Sequence, residues 1–151
     1  MKTMYSIAFL LLLVGTEPVQ AFQSLSADTL TVEVRGTGAD ARFVPALIQV
    51  SKGDVIRFKV LEGMHTVTAY HPDNRRPSRI PESISSFDSG MLSEGDVWFL
   101  EITEEGIYDY FCLPHERLGH VGRIVAGDNA EAGQYDNSLI PEEAARTFQS
   151  L

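Results

Sequence analysis

From residue 29 onward the chain alternates apolar and polar positions in short bursts. "TLTVEVR" (29–35) alternates as a strand with one buried face does. "ALIQV" (46–50) and "DVIRFKVL" (54–61) flank "SKGD", a turn whose glycine permits the unusual backbone angles needed there. "HTVTAY" (65–70), "DVWFLEI" (96–102), "GIYDYFC" (106–112) and "VGRIVA" (121–126) complete the set, with "LSEGD" and "TEEG" as turn-like joints. About seven short strands with no amphipathic helix between them predict an all-β antiparallel sandwich or barrel. In "GIYDYFC", Tyr108, Tyr110 and Cys112 point to one face and Ile107, Asp109 and Phe111 to the other.

Outside the strands the pattern changes. Residues 71–93 are polar and contain prolines, and read as a long excursion from the sheets with a short helical turn. Within it, "NRRPSR" gathers Arg75, Arg76 and Arg79 in a loop. After Gly127 the tail, residues 128–151, has little apolar content until "PEEAARTFQSL", where Pro141 suits the first turn of a terminal helix over 141–151. At the other end, Met1 and Lys2 precede an apolar run from Ile7 to Val14 and a polar segment closing on "PVQA". The run is shorter than the roughly 20 residues a membrane span needs. It reads as a cleaved signal peptide, 1–21, leaving a mature chain that starts at Phe22. A single domain over 22–127 follows.

The formal charge is −9, and the signal removes one Lys and one Glu, so the mature chain keeps it. Such a chain repels nucleic acid and suits a soluble protein that meets a partner with a basic face.

The chain holds one cysteine, Cys112, and four histidines, at 65, 71, 115 and 120. An exported domain with one Cys makes no internal disulfide. The thiol is then an intermolecular bridge, an inert buried group or a metal thiolate. "FCLPHERLGH" (111–120) places it at the end of a strand, where Pro114 stops further pairing, with His115 and His120 in the same short loop. Ligands from one loop converge without long-range closure entropy. One soft thiolate with imidazoles suits copper or zinc, but structural zinc sites mostly use two or more cysteines. Two histidines, one Cys and a weak axial donor make the blue-copper set. His65 is the natural distant ligand, whereas His71 lies at the far end of the same predicted strand, more than about 15 Å away at roughly 3.3 Å per residue. Trp98, Phe99 and Phe111 read as sheet and core residues.

These pieces resemble a known family. "RFVPALIQVSKGDVIRF", "HTVTAY", "FDSG", "GIYDYFC", "PHE" and "GHVGRIVAG", in that order, are similar to the cupredoxins of the plastocyanin, pseudoazurin and halocyanin group. The resemblance spans about residues 42–127 and implies a Greek-key β-sandwich with one copper near one end. Carried over by position, it makes His65, Cys112 and His115 the three strong ligands of that copper. It departs at position 120, where pseudoazurin-like proteins have methionine and this chain has His120. The Cys/His/His loop also resembles that of nitrosocyanin, the red copper protein. A nearer axial nitrogen favours Cu(II), lowers the reduction potential and moves the colour from blue toward green or red. Three roles remain open for His120: axial ligand, solvent-facing gate or hydrogen-bond partner. Met64 and Met91 are alternative axial donors, and Glu62 and Glu116 the nearest acids.

The resemblance implies an electron carrier, not an enzyme, cycling one copper between Cu(I) and Cu(II) for a redox partner such as a cytochrome or copper enzyme. His115 would be the electron exit, beside an apolar patch of Leu113, Pro114 and Leu118. A monomer at the periplasmic or outer face of the membrane is expected. Two alternatives stand beside it: a periplasmic protein that binds copper for tolerance or delivery, and a small red-copper catalyst.

Overall fold

The computed structural model describes residues 27–128 and 135–151, so the expected signal segment lies outside the described residues. Ten strands run in chain order: β1 (Thr29–Arg35), β2 (Arg42–Val44), β3 (Leu47–Val50), β4 (Val55–Val60), β5 (Met64–His65), β6 (Thr68–Ala69), β7 (Leu92–Ser93), β8 (Val97–Glu101), β9 (Gly106–Phe111) and β10 (Val121–Ala126). Among the described residues there is one α-helix, α1 (Glu142–Ser150). One four-stranded sheet has the order β2-β1-β4-β8 and the other β3-β10-β9-β6, while β5 and β7 pair by themselves.

The expected all-β sandwich with a short C-terminal helix is the architecture found. Its sheets are mixed where antiparallel ones were expected. β1 runs parallel to β4, and β3 parallel to β10. The period-two pattern is the same in both kinds of ladder, so side-chain alternation carries no information about strand direction.

The core lies between the sheets. Val32, Val34, Ile56 and Phe58 from one side meet Ile48, Tyr108, Tyr110 and Ile124 from the other. Edge-on aromatic contacts tie the layers: Phe43 to Tyr110 at 4.7 Å and Phe58 to Tyr110 at 5.3 Å between ring centroids. Trp98 is half-buried against Phe58, but Phe99 is exposed, so only one of these neighbours serves the core.

The other face of β9 is covered rather than solvated. Phe111, Tyr70 and Val121 form a second apolar cluster with Ala144 and Phe148 of α1. Those two helical residues are four apart, on one side of the helix. Pro141 occupies the cap position immediately before the helix.

Two expected features take a different form. "HTVTAY" is not one strand. His65 pairs in the small β5–β7 ladder, the chain crosses over, and Thr68 joins the second sheet. The break follows from side chains that take the intervening backbone donors. Thr66 N–H points at the Cys112 sulfur (3.4 Å), and Val67 N–H donates to Ser89 Oγ (2.9 Å). Nor are the three arginines of 75–79 alike. Arg75 is exposed, Arg76 grips Glu116, and Arg79 is buried against Asp109.

Asp109 is completely buried between two guanidinium groups. Arg123 approaches it at 2.6 Å and 2.8 Å, and Arg79 at 3.4 Å. Arg79 also donates to Asp136 O and Asn137 Oδ1, which ties the tail to the sheet. Removing one partner of such a group leaves buried charge uncompensated, at a cost of about 3–5 kcal/mol. Asp109→Ala is therefore expected to lower unfolding stability by about that amount, measured by urea titration. A loss below about 1 kcal/mol would place the cluster among inconsequential surface pairs.

Candidate metal centre

The loop that follows β9 is closed by its own backbone. His115 N–H donates to Cys112 O (3.0 Å) and His120 N–H to His115 O (3.2 Å). Cys112 N–H in turn donates to His120 O (3.0 Å). A 3-10 turn at Glu116–Leu118 lies between, and Gly119, with φ +85°, reverses the chain into β10. The sulfur and two rings are thus delivered by one rigid nine-residue segment, 112–120.

His65 arrives from the β5–β7 ladder. Its Nε2 lies 2.8 Å from the carbonyl oxygen of Glu62. A carbonyl only accepts, so Nε2 carries the hydrogen and Nδ1 presents a bare lone pair. That lone pair faces the thiol, 3.6 Å from Cys112 Sγ. Gly63 makes the arrangement attainable. Its φ is +80°, and a Cβ there would lie 2.9 Å from His65 Nε2.

The structure brings all four predicted donors together. His65, Cys112, His115 and His120 each offer an atom within 4.8 Å of the others. Cys112 Sγ is 3.4 Å from His115 Nδ1 and 3.6 Å from His65 Nδ1. A tetrahedral ion with bonds of about 2.0 Å to nitrogen and about 2.3 Å to sulfur sets its S···N edges near ~3.5 Å. His120 supplies an independent sign: both of its ring nitrogens are buried without a hydrogen-bond partner. Buried polar atoms are nearly always paired, and a metal is one reason for an exception. The donor set therefore fits a copper ion.

The other candidates lie elsewhere. Glu116 is buried, but its carboxylate is held by Arg76. Glu62 contributes its carbonyl to His65 rather than a carboxylate to the cluster. Met64 and Met91 are exposed, and His71 caps the turn at Pro72–Asn74 by accepting from Asp73 N–H.

Support that the sequence reading missed comes from Thr66 and Phe43. Thr68 Oγ1 donates to Asp88 Oδ1, so the Thr66 hydroxyl donates to Thr68. Thr66 Oγ1 is left to accept Leu113 N–H at 2.8 Å. The residue next to the thiol is thereby pinned to the residue next to His65. Phe43 packs 4.1 Å from the His120 ring. Only the position of Thr66 beside His65 hinted at this, and nothing in the sequence pointed to Phe43.

The electrostatics of the metal-free site favour a neutral Cys112 and neutral His115 and His120 rings. Burial pushes the Cys112 thiol up to about 11, although the Thr66 and His115 backbone N–H groups oppose the shift. Burial, then the neighbouring His65 and His115 rings, lowers His120 to about 2. A free imidazole titrates near ~6.5, so the unfolded chain takes up this proton first. Stability supplied by neutral His120 is present above about pH 6.5 and is lost as pH falls from there toward 2. The metal-free protein should lose up to about 1.4 kcal/mol per pH unit from this site as pH falls from 6 to 5. His120→Met should remove that part of the slope in urea unfolding. Identical slopes in the two proteins would show that His120 is not held neutral.

Comparison with known proteins agrees with this geometry. A family model described as copper binding proteins, plastocyanin/azurin family, matches residues 30–127. Pseudoazurin from Paracoccus pantotrophus is 32% identical over 97 residues, covering 64% of this chain and 61% of that protein. A chloroplastic plastocyanin from Solanum lycopersicum is 27% identical over 107 residues, covering 70% of this chain and 63% of that protein. The chain thus spans about three fifths of the length of these two relatives. Among solved structures, native pseudoazurin from Hyphomicrobium denitrificans superposes with a TM-score of 0.62 at 20% identity, covering 81% of this chain and 94% of that one. The last likeness is one of fold. The matched stretch runs from β1 through β10 and contains all four clustered donors, and on that basis the chain belongs to the plastocyanin/azurin family of copper-binding proteins.

Proposed function

We propose that this chain is an exported one-copper electron carrier in which His65, Cys112, His115 and His120 would hold the copper. The observation that carries the reading is the meeting of one thiol and three imidazoles at a single buried point. Copper bound there supplies one-electron chemistry by passing between Cu(I) and Cu(II). The chain's part is to hold the donors still. Cys112 and His115 sit in a self-closed loop, and the Glu62 carbonyl orients His65. A site that barely rearranges keeps the cost of changing charge low.

His115 is the half-exposed member of the cluster. Leu113 and Leu118 beside it are 58% and 48% exposed, and Pro114 is also exposed. This apolar patch suits contact with a redox partner, and the net charge of −9 favours one with a basic face. An extracytoplasmic location is supported by the export signal read at 1–21, and metal coordination would protect the sole cysteine from oxidation there. No helix among the described residues is long and apolar enough to cross a membrane.

One observation favours a second reading. His120 occupies the place where a weaker thioether would be expected, and a nitrogen donor holds Cu(II) more firmly. A protein that binds copper for tolerance or delivery would gain from that. The catalyst reading has less support, because four protein donors fill a four-coordinate shell that catalysis needs open.

Loading the purified chain with Cu(II) separates these readings. An intense sulfur-to-copper charge-transfer band is expected, with a reversible potential. His120→Met should move the colour toward blue and raise the potential. Leu118→Ala should slow electron transfer to the partner and leave the spectrum unchanged. Irreversible cycling would favour copper holding over electron transfer, and the lack of a charge-transfer band would remove the thiolate ligand.

A further inference from the structure

The tail is packed against the residues that carry the donors. Thr147 Oγ1 of α1 lies 3.2 Å from Gly119 O and 3.0 Å from Glu143 O, so its one hydrogen is shared between loop and helix. Gly119 directly precedes His120. A Cβ on Gly119 would stand 2.8 Å from Thr147 Oγ1 and 3.3 Å from Glu143 O. With φ +85° as well, this position takes glycine for two separate reasons, and one of them is contact with the helix.

The apolar contacts run to the same places. Phe148 and Ala144 are buried with Tyr70, Phe111 and Val121. Phe111 is the residue before Cys112, and Val121 the residue after His120. Arg76 completes the brace. It holds the buried Glu116, next to His115, and its guanidinium lies 5.1 Å from the centre of the Phe111 ring. The start of the tail is anchored too, through Arg79 to Asp136 O (3.0 Å) and Asn137 Oδ1 (2.9 Å). The helix is therefore fastened both to the second sheet and to the loop that carries the donors.

We propose that α1 is a clamp on the ligand loop, with Thr147 and Phe148 as positioning residues that set where the His120 imidazole stands relative to the Cys112 sulfur. His120 makes no hydrogen bond through its ring, so nothing polar in its own shell orients it. Its placement comes from packing against Phe43 and the His65 and His115 rings, and from its backbone. The backbone is gripped just before His120 by Thr147 and just after it by the Phe148 cluster. In the metal-loaded protein, how closely His120 would approach the metal is then a property of the tail as well as of the loop. This consequence rests on the ligand assignment above, whereas the grip of the helix on the loop does not.

Four full-length variants test the clamp: Thr147→Val, which removes the hydroxyl but keeps the branch; Thr147→Ser, which restores it; Phe148→Leu; and Gln149→Ala, an exposed control on the same helix. In the metal-free protein, Thr147→Val should speed amide hydrogen exchange at residues 118–121 about fivefold, the worth of one lost hydrogen bond, with β1 and β4 unaffected. Thr147→Ser should restore the slow rate, Phe148→Leu should loosen the same amides, and Gln149→Ala should change nothing. In the copper-loaded protein, Thr147→Val should alter the ratio of the charge-transfer bands and the EPR splitting, and Ser should recover both. Unchanged loop exchange in Thr147→Val and Phe148→Leu, or equal acceleration across the whole sandwich, overturns the clamp. A loosened loop with an unmoved spectrum overturns the positioning of the donors. If the wild-type protein shows no thiolate band, the ligand assignment fails while the metal-free exchange still decides the clamp.

Discussion

A thiol and three imidazoles confined to one buried pocket are a poor arrangement without a cation among them. Cys112, His65 and His120 are almost wholly buried, and two nitrogens of His120 have no partner at all. Desolvated polar groups are costly unless something compensates them. The same desolvation that keeps the metal-free thiol protonated makes a bound cation effective, because little water competes for its field. Other features near this end of the sandwich serve to hold those four groups at bonding separation from one common point.

That holding is done in layers. The loop from Cys112 to His120 closes on itself through backbone bonds, and Thr66 links it to the strand that brings His65. Behind the loop, the outer face of the second sheet is not solvated. It carries a buried carboxylate between two arginines and an apolar cluster roofed by α1. The tail thereby packs against residues adjacent to Cys112 and His120. Leu113, Pro114 and Leu118 are left exposed in the same loop as His115, the least buried of the four donors.

Much of this was legible in the sequence, for reasons that can be named. Cys112, His115 and His120 are close along the chain, so their convergence needed only a tight loop. His65 followed because four histidines offer few choices and the expected strand set His71 apart, although 65–70 proves to be two short strands rather than one. What escaped depends on distant partners. Thr66 and Val67 leave the strand because Cys112 and Ser89 take their N–H groups. Arg79 reads as a loop charge until Asp109, thirty residues on, is seen to bury it. Asp109 shares with Phe111 the face of β9 opposite Cys112, and the packing of α1 against that face comes from residues more than thirty positions further along the chain. Parallel pairing in both sheets was invisible because the side-chain period does not depend on strand direction. The tail's packing was hidden because its apolar residues, Ala144 and Phe148, find their partners in distant segments, at Tyr70, Phe111 and Val121.

The central claim concerns the contents of one coordination shell. X-ray absorption at the copper edge of the loaded, full-length protein reads that shell directly. The account predicts one sulfur and three nitrogen neighbours, with the sulfur lost in Cys112→Ser and one nitrogen lost in His120→Met. A shell of oxygen and nitrogen alone, unchanged by either substitution, would contradict it.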